Sequence, residues 1–261
     1  MALILFPRTE QSKNFFSLTS GRGPALTELM SRLVVIIPAL DAACHLPATL
    51  EGLEEGVRSG LVAGWVLADG GSADTTRELA RRAGFHLVTG PRGRGPQLIA
   101  GAQVAAGLAG RDDWYLFLHA DTRLEPGWSA EVRRVMGGNS LRAWAFRFAL
   151  DAQGAPARRL TRGVNWRSAA LKLPYGDQGL LISREFYEQL GGYRPLALFE
   201  DVDLVRRIGR RRLSILRSRA VTSAQRFARQ GYAARSARNL TLLARYYLGA
   251  DPARLARAYS R

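Results

Sequence analysis

The sequence predicts an α/β protein built on a Rossmann-like, mixed but mostly parallel sheet flanked by helices. Three observations predict it. LVVIIP (33–38) is a continuous apolar, β-branched run, the mark of a strand buried on both faces. From there, strand-like runs alternate with helical segments of about 10 to 15 residues, the rhythm of a doubly wound fold. Three strand ends, Pro38–Asp41, Asp69–Ser72 and His119–Asp121, carry polar groups. In such sheets ligands sit beyond the carboxyl ends of the strands.

The elements follow in order. LPATLEGLEEGV (46–57) spaces Leu46, Leu50, Leu53 and Val57 as a helix does, and GWVLADGG (64–71) is a second short strand running into glycines. ADTTRELARRAG (73–84) is a helix, with Ser72 or Asp74 as its N-cap and Gly84 at its end. FHLVTG (85–90) is the third strand, PQLIAGAQVAAGLAG (96–110) a small-residue helix, and WYLFLHAD (114–121) the fourth strand. WAFRFALD (144–151) alternates, with Trp144, Phe146 and Phe148 on one face, and reads as an antiparallel edge strand. Residues 156–173 are arginine-rich and helical, and 175–193 give a loop, a short strand and a helix. FEDVDLVRRIGRR (199–211) opens another helix, acidic at its front. YAARSARNLTLLARYYLG (232–249) is helical, with Leu240, Leu243, Tyr247 and Leu248 on one side. Asp251-Pro252 starts a last short helix.

This gives three expected regions: a flexible N-terminal extension over 1–31, a catalytic domain over 32–225, and C-terminal helices over 226–261. Met30, just before the first strand, is a second candidate start. The opening MALILFP is too short for a signal-peptide core.

Hydrophobic content of 47% and charged content of 23% are ordinary for a globular chain. No stretch approaches the roughly 20 apolar residues a membrane span needs. The lone cysteine, Cys44, excludes an intrachain disulfide and fits a reducing, cytoplasmic compartment. The net charge of +16 is unevenly held: residues 1–140 carry 14 basic and 14 acidic side chains, residues 141–261 carry 24 and 8. The second half is therefore expected to face something anionic. Arg235, Arg238 and Arg245 beside Leu240, Leu243, Tyr246 and Tyr247 suit either an anionic membrane surface or a core-packing helix with a solvated face. Nucleic acid is not expected as a partner, because neither a recognition helix nor an aromatic stacking signature is present.

Four motifs can carry chemistry. Asp69-Gly70-Gly71-Ser72 follows a strand and opens a helix. It serves equally as a ligand loop, where glycines admit a close ligand, or as a capped turn. His119-Ala120-Asp121 ends the fourth strand, where a carboxylate can hold a hard cation that takes most of its shell from water and phosphate. Glu200-Asp201-Val202-Asp203 starts a helix. Its dipole favours acids, but three in four positions exceed what capping requires, and Asp201 can take a proton from an attacking hydroxyl. Gly176-Asp177-Gln178-Gly179 is a polar loop or tight turn. Arg92 and Arg94 in GPRGRGP form a solvated arginine loop or a phosphate contact.

Together these motifs resemble the glycosyltransferases of family 2, with the GT-A fold. The resemblance runs from about Leu33 to at least Asp203 and rests on VVIIPALDA, VLADGGSADTT, LFLHADTRL, GDQG with ISREFYEQLGGY, and FEDVDL. The bacterial subgroup called transferase 2, radical-SAM/selenodomain-associated, is the most similar, and the tail YYLGADPARLARAY also resembles it.

The resemblance implies a metal-assisted, inverting, hexosyltransferase-like enzyme. It would move a sugar from a UDP- or GDP-sugar to an acceptor hydroxyl. If the basic helix lies on an anionic membrane, a lipid-linked acceptor at the inner face of the cell membrane follows. Pro38, Ala39, Leu40, Asp41, Asp69, Gly70 and Gly71 would line the nucleotide pocket. Arg94 and Ala120 would join the donor site, and Asp177 and Gln178 would lie near donor sugar or acceptor. Asp121, with His119, would bind Mg2+ or Mn2+ with the diphosphate. Glu200-Asp201 matches the family's catalytic pair, with Asp201 the base. The chain departs from the pattern at Asp41-Ala42, where Asn-Glu is usual, at Asp69-Gly70, where Asp-Asp is usual, and at His119, where Asp is usual. These departures also fit a non-catalytic nucleotide- or nucleotide-sugar-binding protein on the same fold.

Overall fold

The computed structural model describes residues 31–259, apart from the side chains of Arg226 and Arg229. The expected extension over 1–31 thus lies outside the described residues, except for Ser31.

The first half builds the parallel part of the sheet. Strands β1 (Leu33–Ala39), β2 (Val62–Asp69), β3 (His86–Thr89) and β4 (Trp114–Phe117) are joined by helices α1 (Leu46–Arg58), α2 (Thr76–Arg82) and α3 (Arg94–Leu108). β1 pairs in parallel with β2 and β4, and β2 in parallel with β3. Both faces of β1, β4 and the second part of β2 are covered, so these strands read as apolar runs, whereas β3 at the sheet edge is half exposed. Leu33, Val35 and Ile37 pack into one cluster with Leu46, Leu53 and Trp128. Val34 and Ile36 pack into the other, with Leu98 and Ala102 of α3. Pro38 sits within β1 without loss, since the β4 ladder ends at Ile36 and no neighbour there requires its missing N–H.

After β4 come β5 (Thr122–Leu124), α4 (Trp128–Met136), β6 (Ala143–Leu150), α5 (Ala155–Trp166), a π turn at Arg167–Leu171 and a 3-10 turn at Gly176–Gln178. Then follow β7 (Leu180–Ser183), α6 (Arg184–Gln189), α7 (Glu200–Ile208), β8 (Leu213–Thr222), α8 (Gln225–Gln230), α9 (Tyr232–Tyr247) and α10 (Pro252–Tyr259). The eight strands lie in the order β3-β2-β1-β4-β7-β6-β8-β5. β7 is antiparallel to both β4 and β6, β6 is parallel to β8, and β5 is antiparallel to β8.

Two expectations need correction. β6 is not an edge strand, because it lies between β7 and β8. Its alternation arises from Arg147 pointing outward opposite a register shift between Ala145 and Arg147, which lets Trp144, Phe146 and Phe148 all stay buried. The fourth strand ends at Phe117, so His119–Asp121 lie in the link to β5 rather than within it. In α9, Leu240, Tyr247 and Leu248 are exposed, Leu248 to 87%, and Leu242 is the buried residue.

Candidate active site

The polar strand ends fall into two neighbouring groups. At the tips of β1 and β2, the Asp69 carboxylate is fully buried and accepts the backbone N–H groups of Gly71 and Ser72. The Ser72 hydroxyl donates to it as well, and Arg77 lies 3.8 Å away. Ser72 in turn accepts the Asp41 N–H at 2.9 Å, and Asp41 accepts the Ala73 N–H at 2.8 Å. Asp41 holds a left-handed backbone, φ 47°, a conformation that Asp tolerates better than most residues. Asp69 therefore clamps its own turn, and Asp41 bridges the two strand ends. Sequence reasoning missed Gln97, whose Nε2 donates to the carbonyls of Ala39 at 2.6 Å and Ala68 at 2.9 Å. A side chain at Gly70 would meet that amide at 2.9 Å, which explains a glycine there. A buried amide inside a small-residue helix was the available signal.

The second group surrounds a cavity of about 130 Å³. Arg94, His119, Asp121, Asp177 and Asp201 all line it, although they come from four separate segments. Pro38, Ala39, Leu40, Asp41, Asp69, Gly70 and Gly71 are not among its lining residues; Ala120 and Gln178 are buried beneath it. Gln178 is tied into the floor, donating to the Phe146 carbonyl at 2.8 Å and accepting from Ser168 at 2.7 Å.

Asp201 stands in the first turn of α7, and its two oxygens accept the N–H groups of Gly176 at 2.6 Å and Val202 at 2.7 Å. Each oxygen keeps a further lone pair. Gly176 is the one residue that fits there: a Cβ would lie 2.6 Å from His119 Nε2 and 3.3 Å from Asp201 Oδ2. Phe199 precedes Glu200 with φ 66°, and its ring packs 5.0 Å from Tyr246 of α9.

Charges in the cavity are unevenly matched. Glu200, 1% exposed, lies 3.5 Å from Arg94, a charge contact longer than a good hydrogen bond. Burial raises the Glu200 pKa against the pull of Arg94. Burial works against the Arg94 charge, but Glu200, Asp201, Tyr259 and Asp121 more than offset it and hold the guanidinium protonated. Burial pushes the Asp177 carboxyl up to about 6, opposed by Arg167. Its Oδ1 is buried and has no hydrogen-bond partner among the described residues.

The fold has counterparts among known proteins. A family model described as "Glycosyl transferase family 2" matches residues 34–169, more than half of the chain. The chain belongs to glycosyl transferase family 2. A comparison with curated proteins found no match. Among solved structures, one similar fold is the mannosyltransferase PcManGT from Pyrobaculum calidifontis, in complex with GDP-Man and Mn2+. Identity is 19%, the TM-score 0.57, and the match covers 85% of this chain and 66% of that one. GalNAc-T7 with UDP, GalNAc and Mn2+ is 17% identical, with a TM-score of 0.56, covering 75% of this chain and 44% of that one. Glucosyl-3-phosphoglycerate synthase from Mycobacterium tuberculosis, with Mn2+, UDP and glucosyl-3-phosphoglycerate, is 17% identical at a TM-score of 0.50, covering 79% and 77%. The chain thus spans less than half of the GalNAc-T7 chain. At these identities the likeness establishes the mixed α/β, GT-A fold.

Family 2 membership makes the fit of a divalent cation a question for this cavity. Among the described residues, no three His, Cys, Asp or Glu side chains cluster as a ready-made cage. The Asp121 carboxylate, on the cavity wall in the link between β4 and β5, nevertheless fits a hard cation that draws most of its shell from diphosphate and water. No helix among the described residues is long and apolar enough to cross a membrane.

The C-terminal helices bring in residues that the motifs did not predict. Phe227, Arg235, Asn239, Leu242 and Tyr259 complete the cavity wall. They lie beyond residues 34–169, so the family pattern gave no signal for them.

Proposed function

We propose that the chain transfers a sugar from a UDP- or GDP-sugar to an acceptor hydroxyl with inversion at the anomeric carbon. The observation that carries this reading is Asp121 and Asp201 lining one cavity, from the link between β4 and β5 and from α7's first turn. Asp201 takes the acceptor proton as the acceptor oxygen bonds to the anomeric carbon; the bond to the diphosphate oxygen breaks and the nucleoside diphosphate leaves. General-base help of this kind is worth about 10² to 10⁴ in rate. Asp121, with His119 beside it, would hold Mg2+ or Mn2+, which would supply electrostatic stabilisation of the leaving diphosphate. Arg94 stays charged and offsets the charge of buried Glu200, the residue before Asp201. The ends of β1 and β2, through Asp41 and the Asp69 turn, would form the nucleotide side. The three structures with bound nucleotide and Mn2+ support the donor class.

The finer subgroup, transferase 2 associated with radical-SAM/selenodomain proteins, is supported by the tail motif, which forms the end of α9 and α10. An acceptor carried on lipid is supported by the basic second half and by exposed Leu240, Tyr247 and Leu248. It is weakened by the internal bonds of Arg235 and Arg238, which hold α10 to α9.

Calorimetric titration with UDP, GDP and their sugar conjugates, with and without Mn2+, tests the reading. Metal-dependent binding that Asp121→Ala abolishes supports it, together with product of inverted configuration by NMR. Asp201→Asn should lower turnover by about 10² or more while the protein stays folded. Nucleotide binding without turnover would instead support the non-catalytic binding protein.

A further inference from the structure

Helix α9 places Arg235, Asn239, Leu242 and Tyr246 in one stripe, at the four- and three-residue steps of a helix face. The stripe runs toward the turn that carries Asp201, because Tyr246 packs on Phe199 at its end. A helix face turned inward is normally apolar. Here the Arg235 Nε–H and the Asn239 Oδ1 are buried and have no hydrogen-bond partner among the described residues, and both residues line the cavity. The other Arg235 nitrogens are engaged, donating to Gln230 Oε1 at 2.7 Å and to the Tyr259 hydroxyl at 2.9 Å. Its guanidinium is flanked by the Phe227 ring at 5.2 Å and the Tyr259 ring at 5.8 Å. The site is therefore fixed in place with its remaining capacity directed inward. Asp177 Oδ1 is a third unpartnered atom of the same cavity.

Unpartnered buried polar groups carry a cost that a ligand removes. The vacancies are one donor and two acceptors, so the complement offers one acceptor and two donors. Hydroxyl groups supply both. A carboxylate or phosphate supplies acceptors alone, so it would suit Arg235 and Arg94 but leave the Asn239 and Asp177 oxygens unmet and add negative charge beside Asp121 and Asp201. We propose that Arg235 and Asn239 form the acceptor subsite and that it takes an uncharged vicinal polyol, a terminal hexose or similar, seated between α9 and Asp201. This rests on the transfer reading above and adds to it the chemical class of the acceptor.

Binding of methyl hexopyranosides, measured by saturation-transfer NMR on the full chain, tests it without requiring turnover. Methyl glucoside, mannoside and galactoside serve as probes, with glycerate and inorganic phosphate as anionic counterparts. At least one hexoside should bind, the anions should bind at least tenfold more weakly, and Asn239→Leu should weaken the hexoside by about three- to tenfold. Asn239→Asp, which keeps an acceptor oxygen, should retain binding within about threefold of the wild type. Preferential binding of glycerate or phosphate overturns the inference, as does equal hexoside binding by Asn239→Leu. Loss in Asn239→Asp as severe as in Asn239→Leu, with both variants folded, means that the residue is structural and overturns it too. Titration of UDP and GDP into the same samples keeps the two readings apart. Nucleotide binding without hexoside binding refutes this inference alone, and hexoside binding without nucleotide binding refutes the transfer reading alone.

Discussion

The amide of Gly176 donates to Asp201 Oδ2 at 2.6 Å, joining the loop before β7 to the first turn of α7. Gly176 also lies close against the imidazole of His119, so three segments that carry site residues meet at one residue without a side chain. The position of the proposed base is therefore set by the absence of a Cβ.

Gly176→Ala tests that dependence. The added methyl has to displace His119 or the Asp201 carboxylate, since it would start 2.6 Å from Nε2. Turnover should fall by more than tenfold, with a melting temperature close to the wild type because the loop is half-buried rather than in the core. A variant with unchanged turnover would contradict the arrangement.

Asp177 gives a pH signature. Its carboxyl is raised from 3.8 to about 6, so the folded state holds the proton more tightly than the unfolded state does. The stability this provides is full below 3.8 and is lost as the pH rises through about 6. Asp177→Asn removes the penalty of a buried charge. Its stability relative to the wild type should therefore climb across that interval and level off above it, as read by urea denaturation at several pH values.

Tyr246 steadies the turn that bears Glu200 and the proposed base Asp201, through its ring contact with Phe199. Such pairs are worth about 0.5–1.5 kcal/mol beyond burial. Tyr246→Ala should lower stability by about that much and lower kcat severalfold, with donor affinity retained, since the nucleotide would sit at the far ends of β1 and β2. Steady-state kinetics that separate kcat from donor KM decide the point.

A control lies deep in the fold. A Cβ at Gly101 of α3 would meet Ile36 Cγ2 at 2.6 Å, in the packed layer between helix and sheet. Overpacking costs about 1–3 kcal/mol, against roughly 1 kcal/mol that alanine gains in a helix. Gly101→Ala should lower the denaturation midpoint and leave turnover per folded molecule unchanged.

The first half of this protein was legible because its strands are buried on both faces. β1, β2 and β4 stand out as apolar runs, β3 is a short, half-exposed edge strand, and GDQG, HAD and ED mark polar groups beside such runs. β8 went unread. Its inward residues, Leu213, Leu216 and Ala220, are separated by arginines and serines that face water, so neither a run nor a clean alternation appears. β5 is three residues long and holds its place through β8, which no local signal reveals. For the site, acids and glycines were legible because turn chemistry makes them conspicuous. Gln97, Arg235, Asn239 and Tyr259 were not, since their roles depend on which element lies opposite, and pairing between distant segments leaves no mark on spacing.

One feature of the sheet governs how the protein is made. β4 and β5 are separated in sequence only by Leu118–Asp121, yet β5 pairs at the opposite edge, where Thr122 meets the hydroxyl of Thr222 at 3.1 Å. The segment carrying His119 and Asp121 is held early by Thr49 of α1, whose hydroxyl donates to the Ala120 carbonyl at 2.9 Å, but the strand that follows it finds its ladder partner only after β8 has been synthesised. A nascent chain can settle β1 to β4 early, while its acidic cavity stays open until residues far downstream emerge from the ribosome. Catalytic competence should thus arrive late in translation, well after the parallel half has become resistant to protease.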